Sequence, residues 1–398
     1  MEYRKMEIGE LCNVVTDYVA NGSFKSLADN VKYSNSGYAQ VIRLVDYNNK
    51  YSLKDSIWVS KEGYDYLKKS KLYGGEIIIT NVGANLGTVF IAPTLEHPMT
   101  LGPNAVMLKS KENDLYLYYW LISPEGRNKI KAIVTGSAMP KFNKTDLKKV
   151  KIPVPNLEVQ EKIVHILANI DKKIELNNQI NDNLLNILRN YFKKYCRDNV
   201  NENWKENKLE DIVSIRRGAS PRPIQNFLSM EGINWLKIAD VTGIGSPFIY
   251  NIKEKIIEEG KNKSVFIKQG TLVVSNSATP GIPKFIMVDT CVHDGWLVLS
   301  DYETKYKNYL YFLIEQIRDS LIKLANGSVF NNLKTDILKQ YRFYNPDNDT
   351  LNKFNSIAEP MMNMINDKTL ENIRLEELRD TLLPKLMNGE IDLDKIEI

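Results

Sequence analysis

The chain has 398 residues, of which 43% are hydrophobic and 26% charged, the balance of an ordinary globular protein and not of a disordered one. No apolar stretch reaches the roughly 18 residues that span a bilayer, and three scattered cysteines (Cys12, Cys196, Cys291) make neither a disulfide framework nor a CxxC motif. The opening "MEYRKMEIGELC" is charged and lacks an apolar signal core, so the expectation is a cytoplasmic protein with no membrane partner.

The net charge of +4 hides an uneven distribution. Residues 1–152 carry 21 Lys/Arg against 15 Asp/Glu, residues 201–344 carry 19 against 16, and residues 345–398 carry 6 against 12. Two mildly basic blocks and one acidic tail suit a polyanionic partner for the blocks.

Along the chain, short β-like runs bounded by Gly, Asn and Pro come first, over 38–110. They include "YAQVIRLVDYN" from Tyr38 and "GGEIIITNVGA" from Gly74. A helix-like segment follows at 115–132, then "TGSAMPKFNKTDLKKV" from Thr135, then the Pro-containing "KIPVPN" from Lys151. From Leu157 apolar residues recur at Ile163, Leu167, Ile170 and Ile174, then at Leu184, Leu188 and Tyr191, with Asn177 and Asn181 in the slots between. Spacing of four and three is the seam of a coiled coil.

The order then repeats at offsets of about 190 to 195 residues. "INWLKIADVTG" from Ile233 and "QGTLVVSNSAT" from Gln269 match the first β-like runs, and β-like character extends over 233–300. A helix-like segment at 305–325, then "NGSVFNNLKTDILKQY" from Asn326, lead to a second stripe. That stripe is Ile357, Met361, Met364, Lys368, Glu371, Leu375, Leu378 and Leu382, again polar in the middle. About forty helical residues span roughly 60 Å, more than one such globule is wide, so the two helices are expected to pair antiparallel as a spacer.

The fold class read from this pattern is α+β, with two pseudo-repeated mixed α/β domains separated by two long antiparallel helices. The expected boundaries are 1–152 and 201–346 for the domains, and 153–200 and 347–398 for the helices and tail. No GxxxxGK[ST] loop, metal-type histidine spacing or nucleophile-and-base pattern stands out, so no catalytic, metal or cofactor site is expected in this chain. "NPDN" from Asn345 lacks the second Pro and the aromatic of an adenine-methyltransferase corner. Two similar but unlike basic globules on a spacer suit a reader of double-stranded DNA with two unlike half-sites.

Three stretches carry a family resemblance. "LRDTLLPKLMNGEI" (Leu378 to Ile391) is similar to the carboxy-terminal signature of type I restriction–modification specificity subunits. "IPVPNLEVQEKIVHIL" (Ile152 to Leu167) resembles their central junction, and "RRGASPRP", reached from Trp204, resembles the opening of a target-recognition domain. The resemblance implies that each half reads one part of a split DNA sequence, while the helices act as ruler and docking surface. It also implies two methyltransferase subunits that bind S-adenosylmethionine, motor-nuclease subunits for restriction, and no catalysis by this chain. The alternatives are a scaffold that holds methyltransferase subunits without reading DNA, and an enzyme whose site goes unrecognised.

Equivalent loops doing equivalent work would place the DNA contacts first at Ser137, Lys141, Asn143 and Lys144, with Ser328, Asn331, Asn332 and Lys334. The strand-end loops add Asn81 and Asn85, with Asn276, Ser277 and Thr279. Arg216, Arg217 and Arg222 are expected to clamp phosphates, with Lys25 as a weaker partner in the first half. The Lys-Thr-Asp tripeptides could instead cap the next helix.

Overall fold

A computed structural model describes residues 3–325, 332–391 and 393. The chain divides into two compact units, Met1–Lys172 with Leu375–Ile398, and Lys173–Arg374.

In the first unit Arg4–Glu7 pairs antiparallel with Lys151–Val154. A four-stranded antiparallel sheet runs in the order Cys12–Asp17, Ala105–Ser110, Ile77–Thr80, Val89–Ile91. A five-stranded sheet follows the order Tyr33–Ser34, Ile57–Val59, Ala39–Ile42, Met99–Leu101, Lys71–Leu72, and its one parallel pair is Ala39–Ile42 with Met99–Leu101.

The second unit repeats this plan. Lys205–Lys208 pairs with Arg342–Asn345, and Ser214–Arg217, Trp296–Ser300, Thr271–Ser275 and Pro283–Ile286 form the counterpart sheet, extended by Phe248–Ile249. The other sheet runs Leu228–Ser229, Glu254–Ile256, Ile233–Leu236, Thr290–Val292, Val265–Ile267, again with its central pair parallel.

Strand alternation explains why "IIIT" and "TLVVS" are apolar without a polar face. Ile77 and Ile79 join Val106, Leu108 and Trp120 on the helix side, while Ile78 turns to Phe90, Met107, Ile42 and Leu101 of the second layer. In the second unit Leu272 and Val274 pack with Leu297 and Leu299, and Val273 packs with Val298, Leu236 and Val292. Each such fully buried side chain contributes about 1.5–3 kcal/mol.

The helix-like segment at 115–132 is two helices, Asp114–Ile122 and Pro124–Ala132. Ser123 ends the first, and its hydroxyl accepts from the Gly126 amide to begin the second, with Pro124 pre-set at the first helical position. A Cβ at Gly126 would stand 2.0 Å from the Trp120 carbonyl, so the tight break admits only glycine there. The second unit has no such Ser-Pro break and forms one helix, Lys307–Ala325.

The long helices are Leu157–Phe192 and Asn348–Met387. They run antiparallel. In the first unit Asp171 meets Arg379 at 2.9 Å, and Ile163 and Leu167 share a core with Leu383, Leu386 and Met387. In the second, Asn177 bonds Glu371 and Asn372, and Phe192 meets Phe354 with ring centroids 5.5 Å apart.

The buried stripe departs from the one read in the sequence. Leu185 and Phe192 are buried where Leu184 and Tyr191 were expected, and Met364 and Leu378 are exposed while Met362, Ile365 and Leu383 are buried. In each unit the helical segments pack on that unit's sheet domain as well as on each other, which widens the apolar face beyond a simple seam. The carboxy-terminal signature closes on the first unit: Leu383, Leu386, Met387 and Leu393 enter its core, and the Tyr3 hydroxyl donates to the Leu386 carbonyl. Asp347, within "NPDN", begins the last helix by accepting from the Thr350 amide.

One strand carries an unusual residue. By register, Lys284 opposite Val273 takes the place of Phe90 opposite Ile78. Only 4% exposed, its Nζ donates to the carbonyls of Ile244 (2.7 Å) and Ser246. Ser246 in turn meets Thr369 of the last helix, so Lys284 fastens that loop. Burial pushes the Lys284 pKa down to about 8 from 10.5. The unfolded chain then holds the extra proton between these values, so this group adds stability as pH rises from about 8. The unfolding free energy of the wild type should gain about 1 kcal/mol on Lys284→Met between pH 8 and 9 in urea titrations. Comparing the two proteins cancels the opposing effect of Cys12 and Cys196, whose thiols burial raises to about 12. A pH-independent difference would show that the loop, and not the proton, sets the contribution of Lys284.

Candidate nucleic-acid interface

The strand-end loops of the two units share one backbone design. The Thr80 hydroxyl donates to the Asn85 carbonyl and accepts from the Thr88 amide. Ser275 does the same with the Thr279 carbonyl and the Ile282 amide. Gly87 and Gly281, at φ +82° and +81°, close the loops by donating to the carbonyls of Thr80 and Ser275.

Asn81 and Asn276 anchor these loops to their neighbours. The Asn81 amide donates to Asn104, its carbonyl accepts from Phe142, and its side chain donates to the Phe142 carbonyl. Asn276 makes the corresponding backbone bonds with Gly295 and Leu333, while its side chain donates to the Asp294 carbonyl. In both residues Oδ1 is buried and has no hydrogen-bond partner among the described residues. Asn85 and Thr279 stand exposed and Ser277 is half-buried.

In the loop before the first long helix, Thr135 and Lys141 exchange backbone hydrogen bonds of 2.8 and 2.9 Å, and Ser137 and Lys141 are exposed. Asn143 caps the helix Lys144–Lys148 by accepting from the Asp146 amide. Lys144 pairs with Asp17 at 2.9 Å. The counterpart helix is Thr335–Lys339, and its cap residue is Lys334, which makes no side-chain cap bond.

The Lys-Thr-Asp tripeptides are therefore out of register by one residue. The helices align through buried Leu147 and Leu338, and the caps are Asn143 and Lys334, not Thr or Asp. Ser328 and Asn331 lie outside the described residues. Lys25 is exposed on the helix Phe24–Asn30.

Arg216 and Arg217 end the strand Ser214–Arg217, both exposed. Arg217 Nε donates to the Asp294 carbonyl at 2.7 Å, and Arg222 reaches Asp294 Oδ2 at 3.3 Å. Burial works against ionisation of Asp294, yet the Ser220 hydrogen bond and the nearby His293, Arg217 and Arg222 hold its carboxyl below the usual range. Asp294 thus orders both guanidiniums, a role carried by "CVHDGW" that only its turn-like Asp-Gly hinted at.

Strand register identifies the counterpart of this pair. Arg217 stands opposite Leu297 and Arg216 opposite Val298, whereas Asp17 stands opposite Val106 and Thr16 opposite Met107. The first unit therefore has Thr16 and Asp17 where the second has Arg216 and Arg217, and Lys144 neutralises the acid. A cleft of about 510 Å³ in the second unit is lined by Arg217, Asn276, Asn332, Leu333, Lys334, Thr335 and Asp336. Four of the expected contact residues are thereby brought together. Such a mixture of guanidinium, ammonium, amide and hydroxyl groups can bond phosphates and base edges. Among the described residues no group of three or more His, Cys, Asp or Glu is placed to hold a metal ion, and no helix is long and apolar enough to cross a membrane.

Comparison with known proteins bears on the family and the fold. A family model described as "Type I restriction modification DNA specificity domain" matches twice, over residues 1–186 and 201–379. The type I restriction enzyme MjaIX specificity subunit of Methanocaldococcus jannaschii is 24% identical over 348 residues, covering 81% of this chain and 79% of that protein. The MjaVIII specificity subunit of the same organism is 25% identical over 346 residues, covering 79% of each. The crystal structure of a type I restriction–modification S subunit from M. genitalium shares the fold, with a TM-score of 0.56 at 16% identity over 97% of this chain and 96% of that one. With two copies of the specificity domain spanning most of its length, the chain belongs to the family of type I restriction–modification DNA specificity subunits.

Proposed function

We propose that each half of the chain reads one part of a split DNA sequence, the domains 1–152 and 201–346 acting as target-recognition modules on a ruler built from 153–200 and 347–398. The carrying observation is the pair of loops with one backbone design and different side chains, Thr80–Gly87 and Ser275–Gly281. A shared frame with Arg217 in one copy and a neutralised Asp17 in the other supports two unlike half-sites.

In this reading Ser137, Lys141, Asn85, Ser277, Thr279, Asn332 and Lys334 face the duplex, and Arg216, Arg217, Arg222 and Lys25 meet phosphates. Asn81, Asn276, Asn143 and Lys144 position the loops. The chain works in the cytoplasm without a cofactor or catalytic group of its own. Two modification subunits that bind S-adenosylmethionine supply methyl transfer to adenine, and motor-nuclease subunits supply cleavage.

A genome-wide map of methylated adenines, in cells holding the modification subunits with and without this chain, tests the reading. The expected result is a new motif of two short unlike sequences around a fixed gap. Exchanging segments 1–150 and 201–344 singly should then change one half of the motif at a time. Partners that co-purify while no motif arises would favour a scaffold instead.

A further inference from the structure

The second unit holds a pocket of about 470 Å³, within the roughly 300–1,000 Å³ of small-molecule sites, that none of the expected contacts except Arg222 accounts for. Its floor is one face of the five-stranded sheet. Trp235 stands opposite Glu254 on one neighbouring strand and Cys291 on the other, so their side chains share that face. His293, two residues beyond Cys291, and Lys237, two beyond Trp235, extend the same alternation. The segment Ser220–Ile224 lines the pocket from another element, tied down where Ala219 donates to the Val292 carbonyl and Ser220 to Asp294.

The chemistry of this lining is that of a site for one nucleotide. Trp235 and His293 meet edge-on with centroids 5.8 Å apart, and Ile224 and Leu228 complete an apolar enclosure for a flat ring. The Trp235 indole N–H is fully buried and has no partner among the described residues, so a base carbonyl that reached it would satisfy an unpaired donor. Glu254, paired with Lys237, and Asp294 offer acceptors for an exocyclic amine. Arg222, with a side chain 82% exposed, suits the phosphate that leads to the base.

The first unit lacks these groups. Gly102 donates to the Ile42 carbonyl as His293 does to that of Leu236, so Val41 and Gly102 occupy the positions of Trp235 and His293. Among the described residues, the side chains that line this pocket thus have no match at Val41 and Gly102 of the first copy, which also has Thr16 and Asp17 in place of Arg216 and Arg217.

Resting on the DNA-reading function above, we propose that the second recognition domain holds a single nucleotide of its half-site in this pocket, the base turned out of the duplex against Trp235. Extrusion is least costly at an already weakened pair, so capture would add selectivity for local deformability as well as for the base itself.

The test uses the full chain with its modification partners and the mapped motif. Duplexes carry 2-aminopurine, which fluoresces when unstacked, at each position of the half-site assigned to the second domain. Fluorescence should rise several-fold at one position. Leu228→Trp, which fills the pocket from a partly exposed site, should abolish the rise and spare the reading of the first half-site. Trp235→Phe, which removes the N–H donor and part of the ring, should weaken it. A flat signal at every position with sequence-selective binding intact overturns the pocket and leaves the reading standing. Loss of any motif in the wild type would sink the reading, and the pocket with it. In a parallel arm, millimolar deoxynucleoside monophosphates are added without DNA. Thermal stabilisation there, lost in Leu228→Trp and joined to a flat duplex signal, would assign the pocket to free nucleotides and refute capture from the duplex.

Discussion

Replacing Arg217 and Arg222 together by alanine lowers affinity for DNA of every sequence by about 10- to 100-fold and reduces the salt slope by about two. The two guanidiniums are 56% and 82% exposed, and one acid, Asp294, orders both without neutralising both. A phosphate approaching them displaces counterions, which is why the loss should be larger at low salt than at high salt. Ion pairs this exposed contribute little to folding, so the melting temperature should stay nearly unchanged. Anisotropy titrations from 50 to 200 mM salt would measure slope and affinity together. An unaltered slope would remove both residues from the interface.

The same experiment on the first unit has a different expected outcome. Asp17→Ala frees Lys144 from its partner and adds one available cation, so non-specific affinity should rise, not fall. Opposite responses at positions with the same strand register would show that the two copies grip the backbone differently.

Asn177→Ala destabilises the second unit by about 2–4 kcal/mol, because a buried network is left half-satisfied. Asn177 is fully buried and donates to Glu371 (2.9 Å) and Asn372 (2.8 Å), while Lys368 donates to its Oδ1. Asn372 also donates to Asn178. Removing one member strands several others, whereas Asn177→Leu with Asn372→Leu replaces both buried amides and should recover much of the loss. Urea denaturation of the single and double variants checks this order. A buried asparagine specifies helix register at some cost in stability. The double variant should therefore spread the mapped motif over more than one gap length, and a single unchanged gap would assign the network to stability alone.

How much of this was legible in the chain differs from feature to feature. "GGEIIITNVGA" and "QGTLVVSNSAT" reveal the strand and the loop after it because alternation and Gly/Asn turns are local signals. The polar slot at Asn177 was visible as a gap in an apolar stripe, and so were the opposing Lys368 and Glu371. Asn372, which completes the network, was not, since it lies beside the expected seam in a helix that faces two neighbours. The matching tripeptides "KTD" pointed one residue away from the equivalence that buried Leu147 and Leu338 establish.

By itself the sequence determined the duplication, the α+β class, the two long helices with polar centres and the family, all of which rest on short-range periodicity or on contiguous motifs. Only the tertiary structure decided which charges are free. The pairing of Lys144 with Asp17, 127 residues away, is invisible in the sequence, and Arg217 and Arg222 are joined only through Asp294. The reason is physical. A strand or helix is encoded by neighbours a few residues apart, whereas an ion pair depends on the register in which distant strands are laid side by side, and a slip of one residue turns every side chain to the other face.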